Sequence, residues 1–481
     1  MAIAVLPEHT PTGLLIAGRW TDATGQLPVQ DPATQRTLAM VGDASVDDAL
    51  AAVTAAAAAF PAWAARPARE RAEVLRTAFE LMTAELEDCA RLIVLENGKA
   101  WNDAMAEARY AADFLRWFSE EAVRIEGGFR DAPAGDKTII TDHRPAGVAY
   151  LITPWNFPAA MATRKLAPAL AAGCTTVLKP AEATPLTALW IAEVLRRVGV
   201  PDGTVNVITT SQPGPVSEAV LADPRVSTLS FTGSTPVGKL LLAQTAQRAL
   251  TSSMELGGNA PFLVLEGADV EAAIAGAMVA KMRNGGAACT AANRFYVHAS
   301  VAEAFSSGFR AALSELQVGP GIDRTNDLGA MVSLEERDKI TSLLDTAAQE
   351  GGEVAACSTA PEHGAFLAPH LVTGVEHGSV LTRHEVFGPV VPIVVYEAQD
   401  EVIRMANDTE YGLISYVFGP DPGTGIAVAR QLESGMVAID RGMISDAAAP
   451  FGGMKESGIG REGGFHGIHE FLETRYLGVS L

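Results

Sequence analysis

The chain has 481 residues, of which 48% are hydrophobic, so it can bury more than one core and should divide into about two or three domains. Its formal charge of -21 repels phosphate backbones and anionic lipid, and no local basic patch offsets that charge, so we expect neither nucleic-acid nor membrane-surface binding. The N-terminus has no basic region followed by an apolar run, and no apolar stretch reaches about 18 residues, so we expect no signal peptide and no membrane span.

Successive amphipathic helices are predicted for the region from Val46 to Ala122, which is rich in alanine, leucine and interspersed charge. From Gly147 onward, short apolar runs alternate with helical stretches, a pattern typical of parallel β-α-β units. A second alternating region begins near Ala260 and predicts a second α/β domain. The strand-like runs are GVAYLIT, TTVLKP, TVNVIT and VSTLSFTG in the first region, and APFLVLEG, RFYVHAS, PHLVTG, GPVVPIVVY and ISYVFG in the second.

Two further strands are predicted outside these regions. The segment KTIITDHR lies among turn residues between the helical opening and the first parallel region, and its alternation favours an antiparallel strand. The segment FLETRYLGVSL forms a last apolar stretch that closes the chain.

The four cysteines, Cys89, Cys174, Cys289 and Cys357, occur singly, and no C-x-x-C pair is present. Their spacing argues against a disulfide framework or a thiolate zinc site, so we expect a reducing cytoplasm and no bound metal. A lone cysteine is most often an inert buried thiol. Cys289, set among small residues in NGGAACTAANRF, therefore needs other evidence before it is interpreted as a nucleophile.

A dinucleotide site is indicated by two weak signals, although no G-x-G-x-x-G follows a predicted strand. In SFTGSTPVG, Gly233 and Ser234 stand between a strand end and a helical stretch, where backbone N–H groups can face an anion. The alternative is an ordinary strand-to-helix connection. In VLKPAEATP, Lys179 and Glu182 can reach ribose hydroxyls, and the alternative is a solvated surface pair.

Seven segments occur together in an order typical of one superfamily. They are TPWNFP, LKPAEATP, FTGSTPVG, MELGGNAP, GGAACTAANR, EVFGPVVP and PFGGMKESGIGRE. On these motifs the chain is identified as a member of the aldehyde dehydrogenase superfamily, and the resemblance extends from LLIAGRW near the start to KESGIGREGG near the end.

The resemblance implies an α/β fold with a Rossmann-like dinucleotide-binding domain, an α/β catalytic domain and a small β oligomerisation element. We expect the first at residues 1-124 and 146-254, the second at 255-447 and the third at 125-145 and 465-481. It also implies a homodimer or homotetramer, because the exposed edge of the last strand invites a neighbouring subunit.

The resemblance further implies that Cys289 attacks a small aldehyde and forms a thiohemiacetal and then a thioester. Asn156 and the Cys289 backbone N–H would hold the oxyanion, and Glu255 would act as general base. NAD, with NADP possible, would accept the hydride, and the carboxylate of Glu182 would disfavour the 2′-phosphate of NADP. The residues expected to bind this cofactor are Trp155, Lys179, Glu182, Gly233, Ser234, Gly257, Glu385 and Phe387.

Within the superfamily, the segments around TRK and MRNGGAACTAANR are most similar to the succinate-semialdehyde dehydrogenase branch. The resemblance assigns the distal carboxylate of the substrate to Arg164, Arg283 and Ser445. The alternatives are that Arg164 is an ordinary helix-surface residue and that Arg283 only complements a helix dipole. The chain departs from the branch pattern at Ala291, which replaces a second cysteine, and at Pro236, Asp440 and Arg441.

Two other functions are compatible with the fold. A CoA-acylating aldehyde dehydrogenase tends to lack the glutamate found here as Glu255, and a non-enzymatic scaffold need not retain Cys289, Asn156, Glu255 and Glu385. The presence of all four residues favours an aldehyde dehydrogenase that transfers the acyl group to water.

Overall fold

The computed structural model describes residues 5–480 and contains two large mixed sheets with helices packed against them, and a small antiparallel sheet. The strands are β1 (Leu14–Ile16), β2 (Arg19–Thr21), β3 (Gly25–Asp31), β4 (Arg36–Asp43), β5 (Gly128–Asp131), β6 (Thr138–Pro145), β7 (Val148–Ile152), β8 (Thr175–Lys179), β9 (Val205–Val207), β10 (Val226–Thr232), β11 (Thr251–Glu255), β12 (Ala260–Val264), β13 (Ala292–His298), β14 (Glu353–Ala356), β15 (His370–Thr373), β16 (Val390–Tyr396), β17 (Tyr411–Gly412), β18 (Ile414–Phe418), β19 (Met436–Ile439), β20 (Met454–Lys455), β21 (Gly458–Ile459) and β22 (Leu472–Val479). The helices are α1 (Val46–Ala64), α2 (Ala68–Ala84), α3 (Leu86–Asn97), α4 (Trp101–Glu121), α5 (Pro158–Ala172), α6 (Leu186–Arg197), α7 (Pro213–Ala222), α8 (Thr235–Thr245), α9 (Val270–Met282), α10 (Ala302–Ser314), α11 (Leu334–Gln349), α12 (Val380–Arg383), α13 (Gln399–Asn407) and α14 (Pro422–Ala429), with short 3₁₀ helices at Arg283–Gly286 and His469–Phe471.

The helical opening predicted from the sequence is confirmed as α1 to α4. Helix α1 begins at a capping box in which Ser45 and Asp48 satisfy each other's backbone N–H groups. Within residues 5–480 no single helix is long and apolar enough to cross a membrane; α1 and α2 pass such a test only as a pair, and they are bent by 118°.

The first large sheet has the strand order β2-β1-β9-β8-β7-β10-β11-β21. Its five central strands, β9, β8, β7, β10 and β11, are parallel to one another, which confirms the predicted β-α-β units. Parallel strands end at one edge of a sheet, so the segments that follow Ile152, Lys179 and Thr232 lie at the same edge, where α/β proteins bind ligands.

The second large sheet has the order β14-β15-β16-β13-β12-β18-β19 and is parallel except for β14. The predicted second α/β region is therefore confirmed. Its core is aromatic, with Phe262 stacked against Tyr416 and Phe418. The chain passes from the first sheet to the second directly after Glu255, the last residue of β11.

The small sheet has the order β22-β6-β5, and β6 pairs antiparallel with both neighbours. This confirms the antiparallel strand predicted for KTIITDHR and the closing strand predicted at the C-terminus. All eight residues of β22 pair with β6, from Leu472 opposite Pro145 to Val479 opposite Thr138.

A short strand near the C-terminus was not predicted from the sequence. In β21, Gly458 and Ile459 pair antiparallel with Glu255 and Met254 of β11. The C-terminal part of the chain therefore returns to the first sheet at the end of the strand that carries Glu255.

Candidate active site

A cavity of about 660 Å³ opens at the carboxyl edge of the first sheet. It collects most of the residues that the sequence singled out. Those that line it are Trp155, Asn156, Lys179, Glu182, Gly233, Ser234, Gly257, Cys289, Glu385 and Phe387. The other four predicted residues, Glu255, Arg164, Arg283 and Ser445, lie outside this lining and are described below.

The segment after β10 presents backbone N–H groups to the cavity. Ser234 is the N-cap of α8, and its side chain makes no capping hydrogen bond among residues 5–480, so the first-turn N–H groups stay open to an anion. A Cβ on Gly233 would stand 2.5 Å from the Phe231 ring, so only glycine fits there. These features suit the diphosphate of a dinucleotide.

Lys179 and Glu182 form an ion pair on the cavity wall. The Lys179 Nζ donates to Glu182 Oε1 at 2.7 Å, and the ammonium group is buried. Glu182 is only partly exposed, with 38% of its side chain accessible. The pair is thus oriented along the cavity wall, where a ribose with free hydroxyls can meet the carboxylate.

Glu385 and Phe387 lie on the segment that precedes β16. Glu385 Oε1 accepts a hydrogen bond from the Gly258 N–H at 3.2 Å, and a Cβ on Gly257 would stand 2.9 Å from Oε2. The Phe387 ring lies edge-on to Trp155 at 5.4 Å. Burial raises the pKa of Glu385 to about 7, and the Gly258 N–H and the Lys281 ammonium oppose that increase.

Cys289 stands at the end of the loop that leads into β13 and lines the cavity. Burial raises the pKa of its thiol to about 12; the charge of Arg164 opposes that increase, and the carboxyl groups of Glu385 and Glu255 add to it. The thiol is therefore protonated at neutral pH until a base or a nearby cation assists it.

Glu255 is 2% exposed, and neither of its carboxyl oxygens has a hydrogen-bond partner within residues 5–480. Burial, followed by the charge of Glu462, raises its pKa well above the usual range, while Arg164 and Lys165 oppose the increase. In its ionised form this carboxyl group has two free oxygens, either of which can take a proton from a water or a thiol.

Behind Glu255 lies a buried charged cluster that sequence reasoning missed. The Lys165 Nζ donates to Glu462 Oε1 at 2.6 Å and to Ser230 Oγ at 2.8 Å. Lys165 belongs to the segment TRK and Glu462 to GIGREGG, both of which were noted in the sequence. Their opposite charges were the only indication in the sequence that the two residues could pair. Their meeting could not be inferred, because they are 297 residues apart in the chain.

Arg164 is buried rather than on a helix surface, because the whole of α5 is enclosed. Its guanidinium donates to the Tyr110 hydroxyl at 2.7 Å and lies 3.6 Å from Glu462 Oε2. The Phe451 ring is 4.2 Å away. In the part of the chain that the structure describes, Nε has no hydrogen-bond partner, whereas Nη1 makes no hydrogen bond but is the atom paired with Glu462, so Nε is the donor that remains available.

Arg283 follows the last residue of α9, as its predicted helix-end position implied. Its Nη2 donates to Thr290 Oγ1 at 3.2 Å, and the guanidinium lies over the Phe157 ring. Arg283 and Arg164 both lower the pKa of Cys289, so two cations stand close enough to the thiol to act on its charge.

Ser445 is half-buried in the loop after β19, and the hydrogen bonds described for residues 5–480 do not join it to the other predicted site residues. Its neighbour Ala447 is buried in the same large hydrophobic cluster as Phe157 and Ala288.

The departures from the branch pattern have local physical explanations. Asp440 has φ 50°, a left-handed conformation that asparagine and aspartate tolerate best, and its Oδ1 accepts from the Gly419 N–H at 3.2 Å. Arg441 is exposed and bonds the Met443 carbonyl. Pro236 lies in the first turn of α8, where a missing N–H costs nothing.

The fold and the cavity define an α/β enzyme with a dinucleotide cleft and a cysteine at its wall. A model described as "Aldehyde dehydrogenase family" matches residues 20–477, and the chain belongs to this family. The predicted family and fold class are therefore confirmed, and the protein is an NAD(P)-dependent oxidoreductase that acts on aldehydes.

Individual relatives are similar over nearly their whole length. The succinate-semialdehyde dehydrogenase of Paenarthrobacter nicotinovorans is 48% identical over 92% of this chain and 99% of its own. The Escherichia coli succinate-semialdehyde dehydrogenase [NADP(+)] GabD is 43% identical over 97% of each. The crystal structure of succinate-semialdehyde dehydrogenase from Burkholderia pseudomallei superposes with a TM-score of 0.97 at 40% identity over 99% of each chain.

Proposed function

We propose that this enzyme oxidises succinate semialdehyde to succinate and prefers NAD to NADP. The observation that carries the substrate is the pair of guanidinium groups, Arg164 and Arg283, whose charges both act on the Cys289 thiol. Arginine can bind a carboxylate through two parallel hydrogen bonds and stays charged at any working pH. The similarity to relatives named succinate-semialdehyde dehydrogenase supports the same substrate.

The free donors of Arg164 are suited to a short anionic substrate. Its Nε lacks a hydrogen-bond partner within residues 5–480, and its Nη1 has only the 3.6 Å contact with Glu462 Oε2; an unpaired buried donor is costly unless a ligand satisfies it. A carboxylate bound there and at Arg283 would direct the aldehyde end of a short chain towards Cys289. Ser445 would add a hydrogen bond from the adjacent loop.

The chemistry is assigned to four groups. Glu255 takes the Cys289 proton, and the sulfur bonds to the carbonyl carbon, giving a thiohemiacetal whose oxyanion receives hydrogen bonds from the Asn156 side chain and the Cys289 N–H. NAD(P), held by Lys179, Glu182, Gly233, Ser234, Gly257, Glu385, Phe387 and Trp155, supplies a hydride acceptor when bound. Loss of hydride from the carbon leaves a thioester. Glu255 releases that first proton to solvent and then removes a proton from water, the water oxygen bonds to the acyl carbon, and the carbon–sulfur bond breaks to return the Cys289 thiolate.

We further infer the domain division that these roles require. Residues 1-124 and 146-254 would bind the dinucleotide, residues 255-447 would carry the nucleophile, and residues 125-145 and 465-481 would mediate assembly. The passage between the two large sheets after Glu255 supports the boundary at residue 254.

The substrate assignment is tested by Arg283→Ala. Losing a charged hydrogen-bond partner costs about 1.5 to 3 kcal/mol, so the KM for succinate semialdehyde should rise at least about tenfold. The KM for butanal, which has a similar length and no carboxylate, should stay nearly unchanged. Steady-state kinetics at saturating NAD measure both, and Arg441→Ala, the loss of an exposed arginine, is the matched control.

Equal losses on the charged and uncharged aldehydes would mean that Arg283 supports only the local structure. An unchanged KM for both aldehydes would contradict the proposal that Arg283 binds the substrate carboxylate. A separate addition of CoA, with analysis of the product, distinguishes transfer of the acyl group to water from transfer to a thiol.

A further inference from the structure

The carbonyl oxygen of Ala287, two residues before Cys289, has two side-chain amide donors. Asn284 Nδ2 donates to it at 2.7 Å, whereas Asn156 Nδ2 donates at 3.3 Å. The first distance is that of a strong hydrogen bond and the second that of a long, weak one. The same carbonyl is thus held firmly by one amide and loosely by the other.

This asymmetry matters because Asn156 is the proposed oxyanion donor. Its Nδ2 has two N–H groups, and the long bond to the Ala287 carbonyl uses one of them. If this carbonyl depended on Asn156 alone, a turn of the amide towards an oxyanion could leave a buried acceptor unpaired, which costs free energy. Because Asn284 holds the Ala287 carbonyl, the Asn156 amide can adjust to the oxyanion without that cost.

Asn284 also fixes the backbone from which the Asn156 side chain projects. Its Nδ2 is 3.0 Å from the main-chain oxygen of Asn156, and the Lys99 Nζ donates to the same oxygen at 2.7 Å. One side-chain amide therefore bridges the Asn156 backbone and the loop that carries Cys289.

The backbone at Asn284 is shaped to make this bridge. Its φ of 56° and ψ of 32° are left-handed, a conformation that asparagine adopts more readily than most residues, and its N–H donates to Asp103 Oδ2 at 2.7 Å. Gly285 continues the left-handed turn with φ 58°. The turn brings the Asn284 amide to the carbonyl oxygens of Asn156 and Ala287.

We propose that Asn284 is a positioning residue for the oxyanion donor: it holds the Ala287 carbonyl and the Asn156 backbone so that the Asn156 amide is free to bind the reacting oxygen. The inference rests on the proposed role of Asn156 as oxyanion donor. It assigns a function to Asn284, a residue that does not itself contact the reacting oxygen in that role.

Two substitutions separate the amide from the backbone that carries it. Asn284→Gly tolerates positive φ and removes the amide, whereas Asn284→Asp keeps the shape and places an oxygen against two carbonyl oxygens. Both should lower kcat about 10- to 100-fold with little change in KM for NAD, because positioning errors act on the transition state. Asn326→Gly removes another side-chain bond to a backbone carbonyl, that of Pro320, outside the lining of the cavity; it is the control and should keep wild-type kcat.

The decisive measurement is a double-mutant cycle with Asn156→Ala. If Asn284 acts through Asn156, the loss caused by Asn156→Ala should shrink by about tenfold or more in the Asn284→Gly background. Thermal melting checks that each variant is folded, and Asn284→Asp provides the same comparison if the glycine variant is unstable.

Full additivity of the two losses, or wild-type kcat in both Asn284 variants, would overturn the inference and leave the proposed oxyanion role intact. A wild-type kcat in Asn156→Ala alone would instead remove the oxyanion role itself, and the inference with it.

Discussion

The Cys289 thiol receives opposing influences from charged neighbours, since two carboxyl groups raise its pKa and two guanidinium groups lower it. Cys289→Ala should abolish aldehyde oxidation, because no other group offers the sulfur that becomes the thioester. Glu255→Gln should slow hydrolysis of the thioester, so that intact-protein mass spectrometry after addition of NAD and aldehyde detects one added acyl group. Near wild-type turnover in Cys289→Ala would reject this mechanism.

The pH dependence follows from the same charges. Burial raises the pKa of the Cys289 thiol to about 12, so this group is protonated at neutral pH. The thiolate fraction grows about tenfold per pH unit below the thiol pKa, so kcat/KM for the aldehyde should rise with pH from about 7 to 10. Arg283→Ala, which removes a cation that lowers the thiol pKa, should displace this rise to higher pH, and a flat profile would contradict the prediction.

Cofactor choice is predicted to depend on Glu182. A carboxylate about 4 Å from a 2′-phosphate is repelled by about 1 to 4 kcal/mol, so the enzyme should use NAD roughly tenfold or more efficiently than NADP. Glu182→Ala should narrow that ratio chiefly by improving NADP, and comparison of kcat/KM for the two cofactors measures it. Glu218→Ala, at an exposed position on α7, should leave the ratio unchanged. A wild-type preference for NADP would overturn this assignment.

How far single residues could be predicted depended on whether their roles are local. Cys289, Asn156 and Glu255 are part of continuous motifs, and the structure brings Cys289 and Asn156 to the same cavity. Arg164 had a surface alternative that proved wrong, since residue spacing does not reveal that α5 is enclosed on all sides. Lys165, Glu462 and Asn284 were missed because their partners come from distant segments or from the backbone.

At the scale of elements, periodic patterns were decisive where each segment faces one environment. The helices from α1 to α4 were predicted from their helical spacing, and the strands of both sheets from short apolar runs, because a strand buried on both faces is apolar throughout. The two-residue strand β21 has no such pattern, since its strand character comes from pairing with β11. The hairpin of β3 and β4 was likewise not singled out.

The strand β22 is predicted to join subunits. Its outer edge has no neighbour among the described residues, and Tyr476 and Leu477 are 54% and 38% exposed. Lysine on an edge strand prevents further pairing, so Tyr476→Lys combined with Leu477→Lys should shift the protein to a smaller species in sedimentation velocity. Ile426→Lys, an exposed apolar position on α14, is the control. An unchanged sedimentation coefficient would place the assembly contact elsewhere.

At the scale of the whole molecule, the net charge of -21 opposes an anionic substrate, while Arg164 and Arg283 attract it locally. Salt screens exposed charges over about 10 Å at 0.1 M but acts less on buried ones. Raising the ionic strength from about 0.01 to 0.15 M should therefore lower the KM for succinate semialdehyde and leave that for butanal unchanged. A rise in the KM for succinate semialdehyde would mean that salt screens the attraction of the local cations more strongly than the repulsion by the net negative charge.

The return of the C-terminal segment to β11 also has a consequence for how the enzyme is made. Synthesis proceeds from the N-terminus, so the Lys165 ammonium emerges from the ribosome 297 residues before the Glu462 carboxylate that neutralises it. Until then the nascent chain has an unpaired Lys165 ammonium, and the edge strand β11 of the first sheet lacks its partner β21. Both features favour late folding of the first sheet or binding of chaperones to the nascent chain. A ribosome stalled before residue 462 should hold a nascent chain that is folded in part and without dehydrogenase activity.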